Sequence, residues 1–441
     1  MNHVFPRHTK NLPPAAVGGE GCYIIDADGK RYLDGSGGAA VSCLGHGDRE
    51  IIAAIKAQLD QMAFAHTGFF TSPPAERLAD LLVANAPEGI KRVYFVSGGS
   101  EANEAAIKLA RQYFIEKGEP KRHKLISRMQ SYHGGTLATL AAGGNAWRRA
   151  PYEPLMLDIS HIDPCFAYRH RRDGEDEAAY ALRAANALET EIERLGPESV
   201  MAFLAEPVVG ATLGAVTASE GYFTRIREIC DKYGILLILD EVMCGMGRTG
   251  SLFACEQEGV RPDIITIAKG LGGGYQPVGA MLCSGDIYAA IEGGSGYFQH
   301  GHTYIGHPAA TAAGHAVVSA ILDRGLLARV GEMGEQLDAA LNERFGQHPH
   351  VGDIRGRGLF RGVELVQDRE TKTPFDPARQ IHAKVKKQAF ANGLVCYPMG
   401  GTVDGVQGDH VLLAPPFIIG QAQIGELTDK LSAAIETAIS T

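Results

Sequence analysis

A single lysine stands where an apolar run meets a glycine cluster. In TIAKGLGGGYQPVGA, residues 266–280, Lys269 follows IITIA and is followed by four glycines within five residues. A strand end favours burial, and a buried ammonium is costly unless something uses it. Two acids end similar runs, Glu206 after MAFLA and Asp240 after ILLIL. Each has an ordinary alternative, since lysines snorkel from strand tips and acids cap helices. Three ionisable groups at the ends of three apolar runs are harder to explain that way.

A fourth feature suggests what they act on. SGGSEANEAA, residues 97–106, is a glycine-rich turn that runs into a helix. Exposed backbone N–H groups and a helix N-terminus favour a phosphate. The stretch lacks the GKS or GKT of a P-loop and is not GxGxxG. Nearby in type are Tyr132, which offers an aromatic face for a planar ring, and His133 beside it. A lysine amine condenses with a carbonyl. An aspartate deep in the fold can hold a protonated ring nitrogen. Phosphate, ring nitrogen, aldehyde and stacking face together describe pyridoxal 5'-phosphate.

The elements around these residues must place them together. Strands are expected at VYFV, KLIS, MAFLA, ILLILD, IITIA and VGAMLC, several of them without alternation. Helical stretches such as EANEAAIKLARQYF, with Ala102, Ala106, Leu109 and Tyr113 on one face, and YFTRIREICDKYG lie between some of them. That pattern predicts an α/β fold with a mostly parallel sheet buried on both faces. In such a sheet, ligands bind beyond the carboxyl ends of the strands. YIIDADGKRYLDGSGG reads as a hairpin turning at Asp28–Gly29. A helix is expected over IIAAIKAQLDQM, and another over PPAERLADLLVANAP, ended by Pro87. Beyond about residue 330, helices and short strands at MGEQLDAALNERF, RGVELV, HAKVKKQAFANG and HVLLAPP predict a smaller α+β domain.

Bulk composition narrows the classes. The chain has 441 residues, 45% of them apolar, which is enough for a large core. A net charge of -9 disfavours a nucleic-acid partner and suits small molecules. No stretch has the length and apolarity of a membrane span. The N-terminal MNHVFPRHTKNLPPAAVGGE lacks the apolar core of a secretory signal. The eight cysteines form no CxxC pair, and Cys230, Cys255 and Cys283 sit in apolar surroundings. A reducing compartment, the cytoplasm, is expected. Neither the histidines nor the cysteines have the spacing of a zinc site.

SGGSEANEAAIKLAR, YHGGT, AEPVVG, ILDEVMCGMGRTG, TIAKGLGGGYQPVGA and HTYIGHP occur in that order. With them the chain resembles, over nearly its whole length, the class III or omega-type aminotransferases of the fold type I pyridoxal-phosphate enzymes. The resemblance implies a large domain around a mostly parallel seven-stranded sheet, with a smaller α+β domain. It places residues 1–55 with the small domain, 56–325 in the cofactor domain and 326–441 in the C-terminal domain. It implies a homodimer or a tetramer, with active sites at the subunit interface. Lys269 resembles the Schiff-base lysine and Asp240 the partner of the pyridine nitrogen. Gly99 and Ser100 resemble the phosphate cradle, Tyr132 the stacking aromatic and His133 its neighbour. Thr303 resembles the threonine that reaches the phosphate from the other subunit. Glu206 resembles the glutamate beside the substrate.

Two departures bear on the substrate. Many members carry Gln where this chain has Met243, and that Gln touches the ring hydroxyl. Amine:pyruvate members tend to carry an arginine shortly before APP, but no arginine lies between Gly393 and Pro416 here. Arg148, Arg149 and Arg357 are the candidates to replace it. Met243 and the GFF stretch at 68–70 suggest room for a hydrophobic or omega-amino substrate. The expected reaction moves an amino group from a primary amine, or an omega- or beta-amino acid, to a 2-oxo acid such as pyruvate. A decarboxylating transaminase and a 2-oxoglutarate-using amino acid transaminase are the alternatives.

Overall fold

The computed structural model describes residues 3–440. Three short antiparallel strands come first, β1 (Ala16–Glu20), β2 (Tyr23–Asp26) and β3 (Arg31–Asp34). The main sheet then forms from β4 (Ile90–Val96), β5 (Lys124–Arg128), β6 (Ser160–Ile162) and β7 (Val200–Ala205). After the small hairpin of β8 (Val208–Val209) and β9 (Val216–Thr217), it is completed by β10 (Leu236–Asp240), β11 (Ile264–Ile267) and β12 (Gly279–Ser284).

The seven strands lie in the order β4-β12-β11-β10-β7-β5-β6. All pair in parallel except β12, which runs antiparallel to both β4 and β11. The physical cause of the exception is the link Ala268–Val278. It holds only a single 3-10 turn, at Lys269–Leu271, and no crossover helix. A parallel return needs a crossover of about a dozen residues or more, usually helical.

Every residue of β7, β10 and β11 is buried. Their side chains alternate between two apolar layers. Leu236, Ile238 and Ile264 pack with Ala106, Leu109 and Phe114 of the helix Gly99–Glu116. Leu237, Leu239, Ile265 and Ile267 pack on the opposite face with residues of the helices Glu177–Leu195, Tyr222–Tyr233 and Pro308–Asp323. Burying each such side chain contributes about 1.5–3 kcal/mol. This alternation also fixes the chemistry. Asp240 continues the Leu236–Ile238 row, and Thr266 lies opposite it in register, so both face the helix Gly99–Glu116.

The C-terminal part adds a four-stranded antiparallel sheet, in the order β13-β14-β17-β16. Its strands are β13 (Val351–Arg357), β14 (Phe360–Leu365), β16 (Tyr397–Gly400) and β17 (Asp409–Leu413). The helices Leu326–Phe345, Ile381–Ala391 and Gln421–Ser440 accompany it. The remaining strand, β15 (Leu394–Val395), pairs in parallel with β3 and ties the two ends of the chain together. The helix expected to end at Pro87 stops earlier, spanning Pro73–Ala84 with Asn85 as its C-cap. Tyr113 is only half-buried, whereas Ala102, Ala106 and Leu109 are fully covered. All eight cysteines are buried and free. Among the described residues, no helix is long and apolar enough to cross a membrane.

Candidate active site

A cavity of about 440 Å³ opens beyond the carboxyl ends of β7, β10 and β11. Gly99, Ser100, Tyr132, His133, Glu206, Asp240, Met243 and Lys269 all line it. Strand register and strand ends therefore bring together eight of the nine site residues expected from sequence.

Asp240 is the most constrained of them. Its Oδ2 accepts from Asn103 Nδ2 at 2.7 Å and lies 2.8 Å from His133 Nδ1. Its Oδ1 accepts from the Val242 N–H at 3.0 Å. Asn103 is held in turn, because its Oδ1 accepts from Thr266 Oγ at 2.7 Å and its Nδ2 also donates to the His133 carbonyl at 2.8 Å. Asn103 and Thr266 were not anticipated from sequence. The available signal was a lone amide in the otherwise small and apolar helix face around Ala102 and Ala106. Asn103 is 1% exposed, and a buried amide needs partners on all sides.

Lys269 follows β11 with φ 46°, a left-handed conformation that costs a non-glycine residue about 1–3 kcal/mol. Its amine makes no hydrogen bond or ion pair with any described residue. Burial pushes its pKa below the ordinary lysine range, against the opposing pull of Asp240 and Glu206. A strained backbone and an unpartnered amine at a cavity wall are the marks of a side chain kept for chemistry.

Glu206 is 4% exposed and is held by backbone alone. Its carboxyl oxygens accept from the Tyr132 N–H at 3.1 Å and the Gly210 N–H at 3.0 Å. Burial pushes its pKa up. Met243 packs against Gly210 and offers the cavity no hydrogen-bond donor.

The anion end of the cavity is built by close approach. A Cβ on Gly99 would lie 2.7 Å from Val242 Cγ1, so only glycine lets the helix N-terminus come this near β10. Gly134, at φ 149°, has no room for a Cβ beside Thr139 Oγ. Ser100 Oγ accepts from the Gly135 N–H at 3.0 Å. The first-turn N–H groups of the helix Gly99–Glu116 have no acceptor within the helix and carry its positive dipole end. A small phosphorylated ring aldehyde fits this donor set: an anion cradle, an aromatic face, a fixed carboxyl and a free amine.

Thr303 does not line this cavity. It lies in the loop after Gly293, on a neighbouring cavity with His66, Tyr94 and His300. The three candidate arginines also separate. Arg357 is engaged by Glu258 at 2.6 Å. Arg149 donates to the Gly143 carbonyl at 3.1 Å and lies 3.0 Å from His161 Nε2. Arg148 does not line the cavity but lies against its Tyr132, with the guanidinium carbon 4.7 Å from that ring's centroid. Among the described residues no cluster of His, Cys, Asp and Glu has the arrangement of a metal site.

Residues 4–435 match the family model described as aminotransferase class-III. The chain is 45% identical over 440 residues to an uncharacterized aminotransferase of Schizosaccharomyces pombe, covering all of this chain and 96% of that one. It superposes with a TM-score of 0.93 on an (S)-enantioselective omega-transaminase from Thermomicrobium roseum, at 37% identity over 99% of this chain and 96% of the other. The omega-transaminase of Pseudomonas jessenii, solved in complex with PMP, gives a TM-score of 0.93 at 31% identity over 100% and 97% of the two chains. The matched stretch spans every strand end that lines the cavity, and the chain belongs to the class III aminotransferases.

Proposed function

We propose that the cavity holds pyridoxal 5'-phosphate and moves an amino group from a primary amine, or an omega- or beta-amino acid, to a 2-oxo acid such as pyruvate. The observation that carries this reading is the Asp240–Asn103–Thr266 chain facing an unpartnered Lys269 across one cavity. Bound there, the group supplies an aldehyde that takes up amines and a ring that draws electrons from the reacting carbon. Lys269 would hold it through its amine and Asp240 through its ring nitrogen. Tyr132 would cover one ring face, with His133 behind it. Gly99, Ser100 and the helix N-terminus would take the phosphate.

The chain's own residues then have separate tasks. Lys269 Nζ, beside the reacting carbon, would serve as the base that takes and returns its proton. Its lowered pKa raises the fraction of neutral amine available as base. Asp240 would keep a proton on the ring nitrogen, and its three hydrogen-bond partners fix the carboxylate without reorganisation. Met243 leaves an apolar wall at the position where many members carry an amide. Glu206 offers its carboxyl to the substrate side of the cavity.

A donor panel tests the substrate class. Aromatic amines, beta- and omega-amino acids, diamines and dialkylglycines are each paired with pyruvate and with 2-oxoglutarate. Transfer from amines and omega-amino acids to pyruvate, without CO2 release, is expected. Activity confined to alpha-amino donors would remove the omega-substrate assignment, and CO2 release matching transfer would make the enzyme a decarboxylase.

We infer a cytoplasmic homodimer in which Thr303 of a second copy meets the phosphate. Two features support this: Thr303 lies outside its own chain's cavity, and Phe69, Phe70 and Tyr304 are exposed near its loop. The same reading keeps residues 1–55, 56–325 and 326–441 as the functional division. Cofactor should favour the dimer by linkage. Sedimentation at low concentration should then show more dimer with cofactor than without, and a stable monomer with full cofactor affinity would contradict the shared site.

A further inference from the structure

We propose that Arg148 is the carboxylate anchor of this active site, so that the acceptor, and any donor bearing a carboxylate, is held by a guanidinium stacked on the Tyr132 ring. This rests on the aminotransferase reading above and names the group that recognises the acid.

The geometry of Arg148 is that of a side chain lacking its partner. Its guanidinium carbon sits 4.7 Å from the Tyr132 ring centroid and 5.7 Å from that of Trp147. Its Nε is covered by protein and has no acceptor. No carboxylate of the described residues forms an ion pair with it, whereas Arg357 is paired with Glu258 and Arg149 is bound to carbonyls. A buried donor without an acceptor is unfavourable until a ligand satisfies it. Stacking on an aromatic face leaves the planar fork free at its edge, the geometry that meets a carboxylate with two parallel hydrogen bonds.

The charge balance of the cavity points the same way. Its lining brings two carboxyl groups, Glu206 and Asp240, against the single amine of Lys269. A substrate carboxylate adds a further negative group. The positive charge of Arg148 disfavours the ammonium of Lys269, so the two bear on one another across the site. Its backbone is also fixed in advance. Asn145 caps the short helix Ala146–Arg149, with its Oδ1 accepting from the Arg148 N–H at 3.3 Å. Asn145 Nδ2 donates to Gln130 Oε1 at 2.8 Å, and Gln130 Nε2 donates to the Gly401 carbonyl at 3.1 Å. The arginine-free loop after Gly400 is thereby tied to the segment that carries Arg148. A guanidinium held this way loses little freedom on binding.

The test compares pyruvate with propanal, which lacks the carboxylate, as acceptors for the holoenzyme and for Arg148→Met and Arg148→Lys. The ratio of kcat/KM for pyruvate to that for propanal should fall about 100-fold in Arg148→Met. Arg148→Lys should recover part of it, because lysine restores charge without the fork. Arg149→Met, which breaks structural bonds only, should leave the ratio within threefold. Calorimetry with propionate as an inert probe should show binding to the wild-type holoenzyme and at least ~30-fold weaker binding to Arg148→Met. A ratio and a propionate affinity both unchanged in Arg148→Met would overturn the assignment. Should the wild type use neither acceptor, the reading of the reaction fails, and the propionate measurement alone decides Arg148.

Discussion

Replacing Lys269 with alanine is expected to lower turnover on the order of 10^4-fold while leaving the fold intact. The loss has one physical source. The Lys269 amine is the free base at the cavity wall, and positioned proton transfer contributes up to about 10^4 in rate. Stability should change little, because the side chain makes no hydrogen bond or ion pair with a described residue, and alanine bears the same left-handed strain at φ 46°. Burial already disfavours the ammonium there, so its removal relieves a cost. Borohydride should fix the cofactor covalently on wild-type Lys269 and leave it dialysable from K269A. A variant with full turnover, or one that still retains the reduced cofactor at the same peptide, would remove Lys269 from both roles.

The second large effect concerns Asp240. Asp240→Asn should reduce kcat about 10^2–10^3-fold, the range seen when a preorganised charge partner is lost. Cofactor affinity should fall less than about tenfold, since the aspartate acts on charge that develops during the reaction and not on the resting complex. The substitution is close to isosteric. It turns an NH2 either toward the Val242 N–H or toward Asn103 Nδ2 and His133 together, and cannot hold a proton on a ring nitrogen. Comparing kcat with the apparent Kd for pyridoxal phosphate separates the two effects. Unchanged kcat would show that the carboxylate serves only packing.

Glu206, Asp240 and Lys269 were legible in sequence because each ends a short, mostly apolar run, and parallel sheets expose ligands at that edge. Asn103 and Thr266 were not, because their role depends on register. Thr266 faces the helix only because β10 and β11 pair Asp240 with Thr266. The reversed direction of β12 is implicit in the short link Ala268–Val278, but side-chain alternation carries no strand direction. β15 pairs with β3 across most of the chain, and two residues, Leu394 and Val395, give no pattern to read. Sequence ranks the candidate arginines only weakly, with Arg148 ahead of Arg149 and Arg357 as a structural residue. Their separation comes from partners brought by distant segments, Glu258 for Arg357 and the Gly143 carbonyl for Arg149.

The most direct test of the account is a half-reaction. Holoenzyme at known concentration is mixed with an amine donor identified by the panel, with no acceptor present, and the carbonyl product is counted. One carbonyl per active site, no CO2, and restoration of the starting absorbance by pyruvate are the results predicted for amino-group transfer in two separate halves. Carbonyl product that forms only when donor and acceptor are present together would contradict it.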